Sequence, residues 1–201
     1  MSECWAFLHQ KGGTGKSTLA IACAQAMARR GLAVLILDAD YQGTATAWGE
    51  RFAETFNATA EGGVEVRSQV QDGIAESLAR FATGFDAILV DAPPTLSELS
   101  HNILLAVDRV LVPTRPAWPD IWALATVAGL ARQVDMSARI DVVFNQHHDE
   151  DLGPLRDAIV DLRLNVLPDA LPYHPDFAAL FRSGLAGPQA LAAINQLLTS
   201  P

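Results

Sequence analysis

His9-Gln10-Lys11-Gly12-Gly13-Thr14-Gly15-Lys16-Ser17-Thr18 lies between a short apolar run at residues 4–8 and an alanine-rich stretch at residues 19–30. The run reads as a buried strand and the stretch as a helix, so the decapeptide sits at a strand-to-helix turn. Its three glycines let backbone N–H groups turn inward on an anion without Cβ clashes. The helix that follows points the positive end of its dipole at the same place. The stretch therefore predicts a phosphate site, with Gly12, Gly13, Thr14, Gly15 and Thr18 in the cradle, Lys16 on the phosphates and Ser17 as a magnesium ligand. The common form carries glycine five residues before the Gly-Lys pair, but here Gln10 stands there and a second lysine, Lys11, follows it. Lys11 and Lys16 are the only two lysines in 201 residues, the other twelve basic side chains being arginine. Lysine is kept where a compact ammonium differs from a guanidinium fork as a phosphate ligand.

A chain of 201 residues is long enough for one domain that buries roughly 70% of its unfolded surface, and no linker or repeat divides residues 1–201. Half the residues are apolar and 18% are charged, a globular balance. Two cysteines, Cys4 and Cys23, fall in a predicted strand and a predicted helix, which suits core positions and not a disulfide framework. Neither an export signal nor a run of 18 apolar residues is present, so the expectation is a cytoplasmic protein with no membrane partner. The formal charge of −9 argues against a large nucleic-acid footprint over the whole surface.

Strand and helix signals alternate along the chain, the signature of an α/β fold: a doubly wound, mostly parallel sheet with helices on both faces. Strands are expected at residues 33–37, 61–67, 86–91, 109–113, 140–145 and 166–167, with helices at 69–82, 95–107, 120–133, 151–162, 176–182 and 188–198. In such sheets ligands bind beyond the carboxyl ends of the strands. Four of those ends carry polar residues: the glycine-rich loop, Asp38 with Asp40, Asp91, and Asn145. Asp91 closes four consecutive apolar positions, where a carboxylate is costly without a positive partner, and magnesium held together with Ser17 would supply one. A helix-capping or loop aspartate is the simpler alternative. Asp38 and Asp40 alternate in an extended segment, so they are expected to point in opposite directions and to divide their tasks, Asp38 toward the magnesium shell and Asp40 toward an attacking water; turn formation is the competing reading. Asn145 offers a donor and an acceptor to an adenine edge. The run Asn145-Gln146-His147-His148 lacks the Asn-Lys-x-Asp of GTP-binding proteins, so ATP is favoured. His147 and His148, beside three acids, read as a solvated loop before a metal site. Trp118 and Trp122 are either packing residues or anchors for a partner, a choice that burial decides.

With these residues in place, the sequence resembles the ParA/MinD family of deviant Walker A ATPases, above all its small ParA members, over essentially the whole chain. Lys11 to Thr18 is similar to the family's loop, Asp38-Ala39-Asp40-Tyr41-Gln42-Gly43 to its second motif, residues 86–94 to its third, and residues 114–120 to the loop after the fourth strand. Tyr41 departs from the proline often found there. The resemblance implies a P-loop NTPase fold, ATP and Mg2+ as cofactors, weak intrinsic hydrolysis, and a homodimer with ATP sandwiched between subunits. It implies that Lys11 reaches across to the partner's nucleotide, with Lys16 and Asp40 completing the catalytic set and Ser17, Asp38 and Asp91 serving the metal. It further implies positioning or segregation of intracellular cargo, a ParB-like adaptor that stimulates hydrolysis, and nucleoid association through non-specific DNA binding in the ATP state. For an acidic chain, DNA binding needs Arg156, Arg163 and Arg182 to converge on one face. The other function considered is a ParA-like scaffold of a polysaccharide-synthesis or polar-localisation apparatus that binds ATP with little turnover. Residues 186–201 carry no lysine or arginine, unlike a basic amphipathic membrane tail.

Overall fold

A computed structural model describes residues 2–70, 73–95, 97–133 and 138–200. It contains a seven-stranded sheet in the order β3-β2-β4-β1-β5-β6-β7, every pairing parallel. The strands are β1 (Glu3–Phe7), β2 (Ala33–Asp38), β3 (Gly63–Ser68), β4 (Ala87–Asp91), β5 (Arg109–Thr114), β6 (Arg139–Phe144) and β7 (Asn165–Val166). The helices are α1 (Lys16–Ala28), α2 (Thr44–Asn57), α3 (Ile74–Phe81), α4 (Glu98–Ala106), α5 (Trp118–Gln133), α6 (Gly153–Asp161), α7 (Pro175–Ser183) and α8 (Pro188–Thr199).

The three central strands β2, β4 and β1 show almost no alternation of polar and apolar residues because both faces of the sheet are covered. Side chains of one parity, such as Phe7, Ile36 and Leu89, pack against α1, α2, α7 and α8. Those of the other parity, such as Leu8, Leu37 and Val90, pack against α3, α4, α5 and α6. Helix α1 is buried along its length from Leu19 to Ala28 and apolar there except for Gln25, whose Nε2 donates to the Gly184 carbonyl, which places the loop before it against the middle of the molecule. No helix among the described residues is long and apolar enough to cross a membrane.

The expected helix over residues 69–82 narrows to α3, because Gln69 N–H donates to the Asp38 carbonyl and prolongs the strand-like segment, and a left-handed Gly73 caps the helix start; residues 71 and 72 of that expectation lie outside the described residues. Helix α5 begins two residues before its expected start.

Three carboxylates are sealed inside this sheet with no exposure, Asp38, Asp91 and Asp141, and the last two differ in their partners. Asp141 in β6 receives Arg109 Nε at 2.7 Å and Arg139 Nε at 2.7 Å. Asp91, at the end of β4, receives no hydrogen bond on either oxygen.

Candidate functional site

Strand register brings the polar strand ends together. Asp91 is paired with Phe7 of β1 on one side and with Asp38 of β2 on the other, so the glycine-rich loop, Asp91 and Asp38 leave three adjacent strands at the same level. Gly13 (φ +75°) and Gly15 (φ +104°) turn the loop back over the start of α1. At Gly15 a side chain is also excluded by space, since a Cβ there would lie 2.2 Å from Asn145 Nδ2. Lys16 is buried and its Nζ donates to the Lys11 carbonyl at 3.4 Å. Burial lowers its pKa, and Asp91 and Asp40 pull it back up.

Two cavities flank the loop. One of about 470 Å³ is bordered by the loop glycines, Lys16, Ser17, Asp40 and Pro94. The other, about 440 Å³, lies beyond Gly15 and Thr18 against Asn145, Pro172, Tyr173 and Phe177. The pair suits a ligand with a charged tail on one side of Gly15 and a flat ring system on the other.

Asp91 is held up to about 7, chiefly by burial, with Ser17 and Lys16 pulling it down and Asp38 and Asp40 pushing it up. Ser17 is near enough to lower it, yet no donor reaches either oxygen in hydrogen-bond geometry. A buried acceptor pair with no donor, beside a serine hydroxyl, fits a hard divalent cation bound through oxygen. Among the described residues no group of three or more His, Cys, Asp or Glu side chains could hold a metal by itself, so phosphate and water oxygens would complete any shell at Asp91.

Asp38 and Asp40 do diverge, but alternation is not the reason. Residues i and i+2 of a strand face the same way; the two separate because β2 ends at Asp38. Asp38 Oδ1 accepts from Asp40 N–H at 3.2 Å, and Oδ2 from the N–H and hydroxyl of Thr46 at 2.8 and 2.9 Å. Oδ1 therefore holds the loop after β2, and Oδ2 the first turn of α2. Asp40 Oδ1 accepts from Gln42 N–H at 3.0 Å, and its carboxylate borders the phosphate-side cavity.

Lys11 is half-buried and its Nζ donates to Asp120 Oδ2 at 3.0 Å. Arg115 donates to the same carboxylate through Nε at 2.9 Å and Nη2 at 3.3 Å. Burial alone would raise the Asp120 pKa, but the bonds from Arg115 and Lys11 outweigh it and the net shift is downward. Behind Lys11, His9 is fully buried and its pKa falls to about 4, from burial first and then the charge of Lys16. His9 is therefore neutral at pH 7, and its Nδ1 accepts from Lys11 N–H at 2.9 Å. Gln10 Nε2 donates to the Ala123 carbonyl of α5 at 3.2 Å. Asp120, His9 and Gln10 were not singled out by the sequence as site residues. Only the acid in the first turn of α5, five residues after Arg115, offered a hint.

Asn145 Nδ2 donates to the Thr14 carbonyl at 2.7 Å, so its amide holds the loop from behind while the residue also borders the cavity on the ring side of Gly15. The histidine pair is a loop: His147 Nδ1 meets Glu150 at 2.9 Å and His148 stacks on Tyr173 at 4.8 Å. Trp118 and Trp122 are 45% and 67% exposed, which removes the core-packing reading.

The three arginines expected on one face are not together. Arg156 is turned inward, its Nη1 and Nη2 donating to the Leu167 and Pro168 carbonyls, each at 2.7 Å. Arg163 stands at the amino end of the sheet beside Ile140 and Asn165. Arg182 stands at the carboxyl end beside the ring-side cavity. A charge count cannot show which guanidinium the fold consumes internally.

A parallel sheet that delivers a glycine-rich loop, a buried helix and a cation-seeking aspartate to one edge defines a P-loop nucleotide-binding protein. The chain belongs to the CbiA family, the CobQ/CobB/MinD/ParA nucleotide binding domain, whose model matches residues 5–186. It is similar to the maintenance of carboxysome distribution protein A of Gloeobacter kilaueensis, at 37% identity over 59% of this chain and 52% of that protein. It is also similar to the chromosome-partitioning ATPase Soj of Thermus thermophilus, at 36% identity over 62% of this chain and 58% of the relative. The chain thus spans little more than half the length of these two relatives. Among solved structures, the septum site-determining protein MinD of Pyrococcus horikoshii, complexed with Mg-ADP, superposes with a TM-score of 0.72 at 17% identity over 99% of this chain and 96% of that one. That likeness establishes the fold.

Proposed function

We propose that this protein is an ATP-dependent dimerising ATPase that acts as a switch in the positioning or segregation of intracellular cargo. The observation that carries it is the convergence of both lysines of the chain on one glycine loop, with an unpartnered buried carboxylate at the end of the next strand. The relatives concerned with carboxysome distribution and chromosome partitioning support the cargo role.

In this reading the loop N–H groups and Lys16 hold the β- and γ-phosphates of ATP, with Thr18 and Asn145 on the side of the base. Asp91 and Ser17 would hold magnesium, which supplies charge neutralisation for phosphoryl transfer. Asp38 acts on that shell only at second hand, by fixing the first turn of α2. Asp40, bordering the same cavity, orients the attacking water. Lys11 is parked on Asp120 in the single chain. When it leaves for the nucleotide of a second subunit, Arg115 stays behind to neutralise Asp120, so the transfer strands no buried charge. A ParB-like adaptor stimulates hydrolysis, and the cytoplasm is where the cycle runs. Non-specific DNA binding in the ATP state remains part of the reading, but with Arg156 engaged and Arg163 and Arg182 at opposite ends of the sheet, the dimer must build that surface from elsewhere.

The test is phosphate release from Mg-ATP, alone and with a ParB-like adaptor from the same organism. Wild type is expected to turn over slowly and to be accelerated by the adaptor. Asp40→Ala is expected to lose about 10²-fold of the stimulated rate while still binding ATP. Turnover that stays flat with every partner, in wild type as in the variant, contradicts the switch and leaves a nucleotide-binding scaffold.

A further inference from the structure

Gln146 is one of two non-glycine residues with positive φ among the described residues, at +60°, and it is the second residue beyond the end of β6. Glutamine has no local preference for that region, so the surrounding structure must hold it there. What the strain achieves can be read from its side chain. Gln146 Nε2 donates to the Gly13 carbonyl at 3.0 Å, and the preceding Asn145 Nδ2 donates to the Thr14 carbonyl at 2.7 Å. Two neighbours on an extended chain point to opposite sides. Only the turn at Gln146 lets consecutive amides grip consecutive carbonyls of one loop.

The peptide plane gives that grip its consequence. In a trans peptide the carbonyl of one residue and the N–H of the next point in opposite directions. Fixing the Gly13 and Thr14 oxygens on the β6 side therefore aims the N–H groups of Thr14 and Gly15 the other way, into the loop. We propose that Gln146 is a positioning residue for phosphate: its strained backbone delivers an amide that locks the Gly13–Thr14 peptide with its N–H facing the anion. The inference rests on the nucleotide reading of the loop and gives Gln146, which also borders the ring-side cavity, a task on the phosphate side that the motif does not assign. The segment is braced from its other end, since His147 N–H donates to the Leu171 carbonyl at 3.0 Å and Tyr173 N–H to the His147 carbonyl at 2.8 Å.

The proposal makes binding and stability move in different directions. Glycine adopts φ +60° freely, so Gln146→Gly relieves strain while removing the amide. Calorimetric titration with Mg-ATP and with inorganic tripolyphosphate, alongside melting of the ligand-free protein, reads both effects. For Gln146→Gly we expect binding of both ligands to weaken about three- to tenfold, the scale of one lost hydrogen bond, with Tm unchanged or raised by about 2–4 °C. Gln146→Asn, which tolerates the same backbone but is one methylene too short, is expected to behave alike. Wild-type-like binding of both ligands by the glycine variant overturns the proposal. So does a loss confined to ATP, which marks a contact with the base, and so does a fall in Tm alongside the affinity, which marks a merely structural residue. A wild-type protein that binds neither ligand overturns the nucleotide reading itself, and this inference with it.

Discussion

Asp91→Asn is expected to raise the melting temperature of the ligand-free protein at pH 8.5 and, in the same molecule, to abolish the magnesium dependence of nucleotide binding. The first half follows from linkage. The folded protein holds the Asp91 proton up to about 7, against an ordinary carboxyl value of 3.8. Between those values the folded state binds a proton that the unfolded chain has released, so the contribution of this group to stability is full below about 4 and is lost as pH rises through about 7. At pH 8.5 the bare carboxylate costs on the order of 4 kcal/mol. Asparagine removes the charge but leaves its amide without partners, so it recovers only ~1–2 kcal/mol of that, a rise of several degrees. At pH 6 wild-type Asp91 is largely protonated and the gap between the two proteins should close. The second half follows from the empty acceptor pair: without a carboxylate beside Ser17, adding magnesium no longer tightens binding of ATP, and hydrolysis falls at least ~10²-fold. Melts at both pH values, with and without Mg-ATP, check both halves. An asparagine variant that melts below wild type at pH 8.5 and still responds to magnesium shows that Asp91 is not a cation site.

Gly15→Ala has the other large effect, and its direction is the same for stability and binding. Alanine at φ +104° is strained whatever the space around it. Its Cβ would also lie 2.2 Å from Asn145 Nδ2, so the amide must leave the Thr14 carbonyl. Backbone strain and the lost buried hydrogen bond together cost ~2–4 kcal/mol, or on the order of 10 °C in Tm. With the loop carbonyls released, ATP affinity should drop at least ~30-fold. Gly12→Ala is the internal control, because nothing lies within 4 Å of a Cβ there and its φ is not positive. Its Tm should stay within ~2 °C of wild type. Equal losses for the two alanines would show that the Gly15–Asn145 packing is not what shapes the loop.

Much of this site was legible locally. The loop, the buried run ending in Asp91 and the strand–helix alternation are patterns of neighbours in sequence, and each landed where it was expected. What escaped is long-range. Lys11 meets Asp120 across 109 residues, and Asn145 and Gln146 meet the loop across 131 and 133. No local spacing encodes those contacts; they exist because β1 sits beside β5, and β6 beyond it. The directions of Asp38 and Asp40 were reached for the wrong reason, since strand periodicity applies only while the strand lasts. Arg156 shows the limit of charge counting, because its guanidinium closes the carbonyl ends of residues 167 and 168 and lies 5.4 Å from the Phe144 ring.

The central claim is that ATP joins two copies of this chain through Lys11. Molar mass by size-exclusion chromatography with light scattering, in Mg-ATP and in Mg-ADP, tests it most directly on wild type and Lys11→Ala. The expected result is a dimer of wild type with ATP, monomers with ADP, and a Lys11→Ala protein that binds ATP and stays monomeric. A wild-type protein that remains a monomer in saturating ATP, or a Lys11→Ala protein that dimerises as well as wild type, contradicts it.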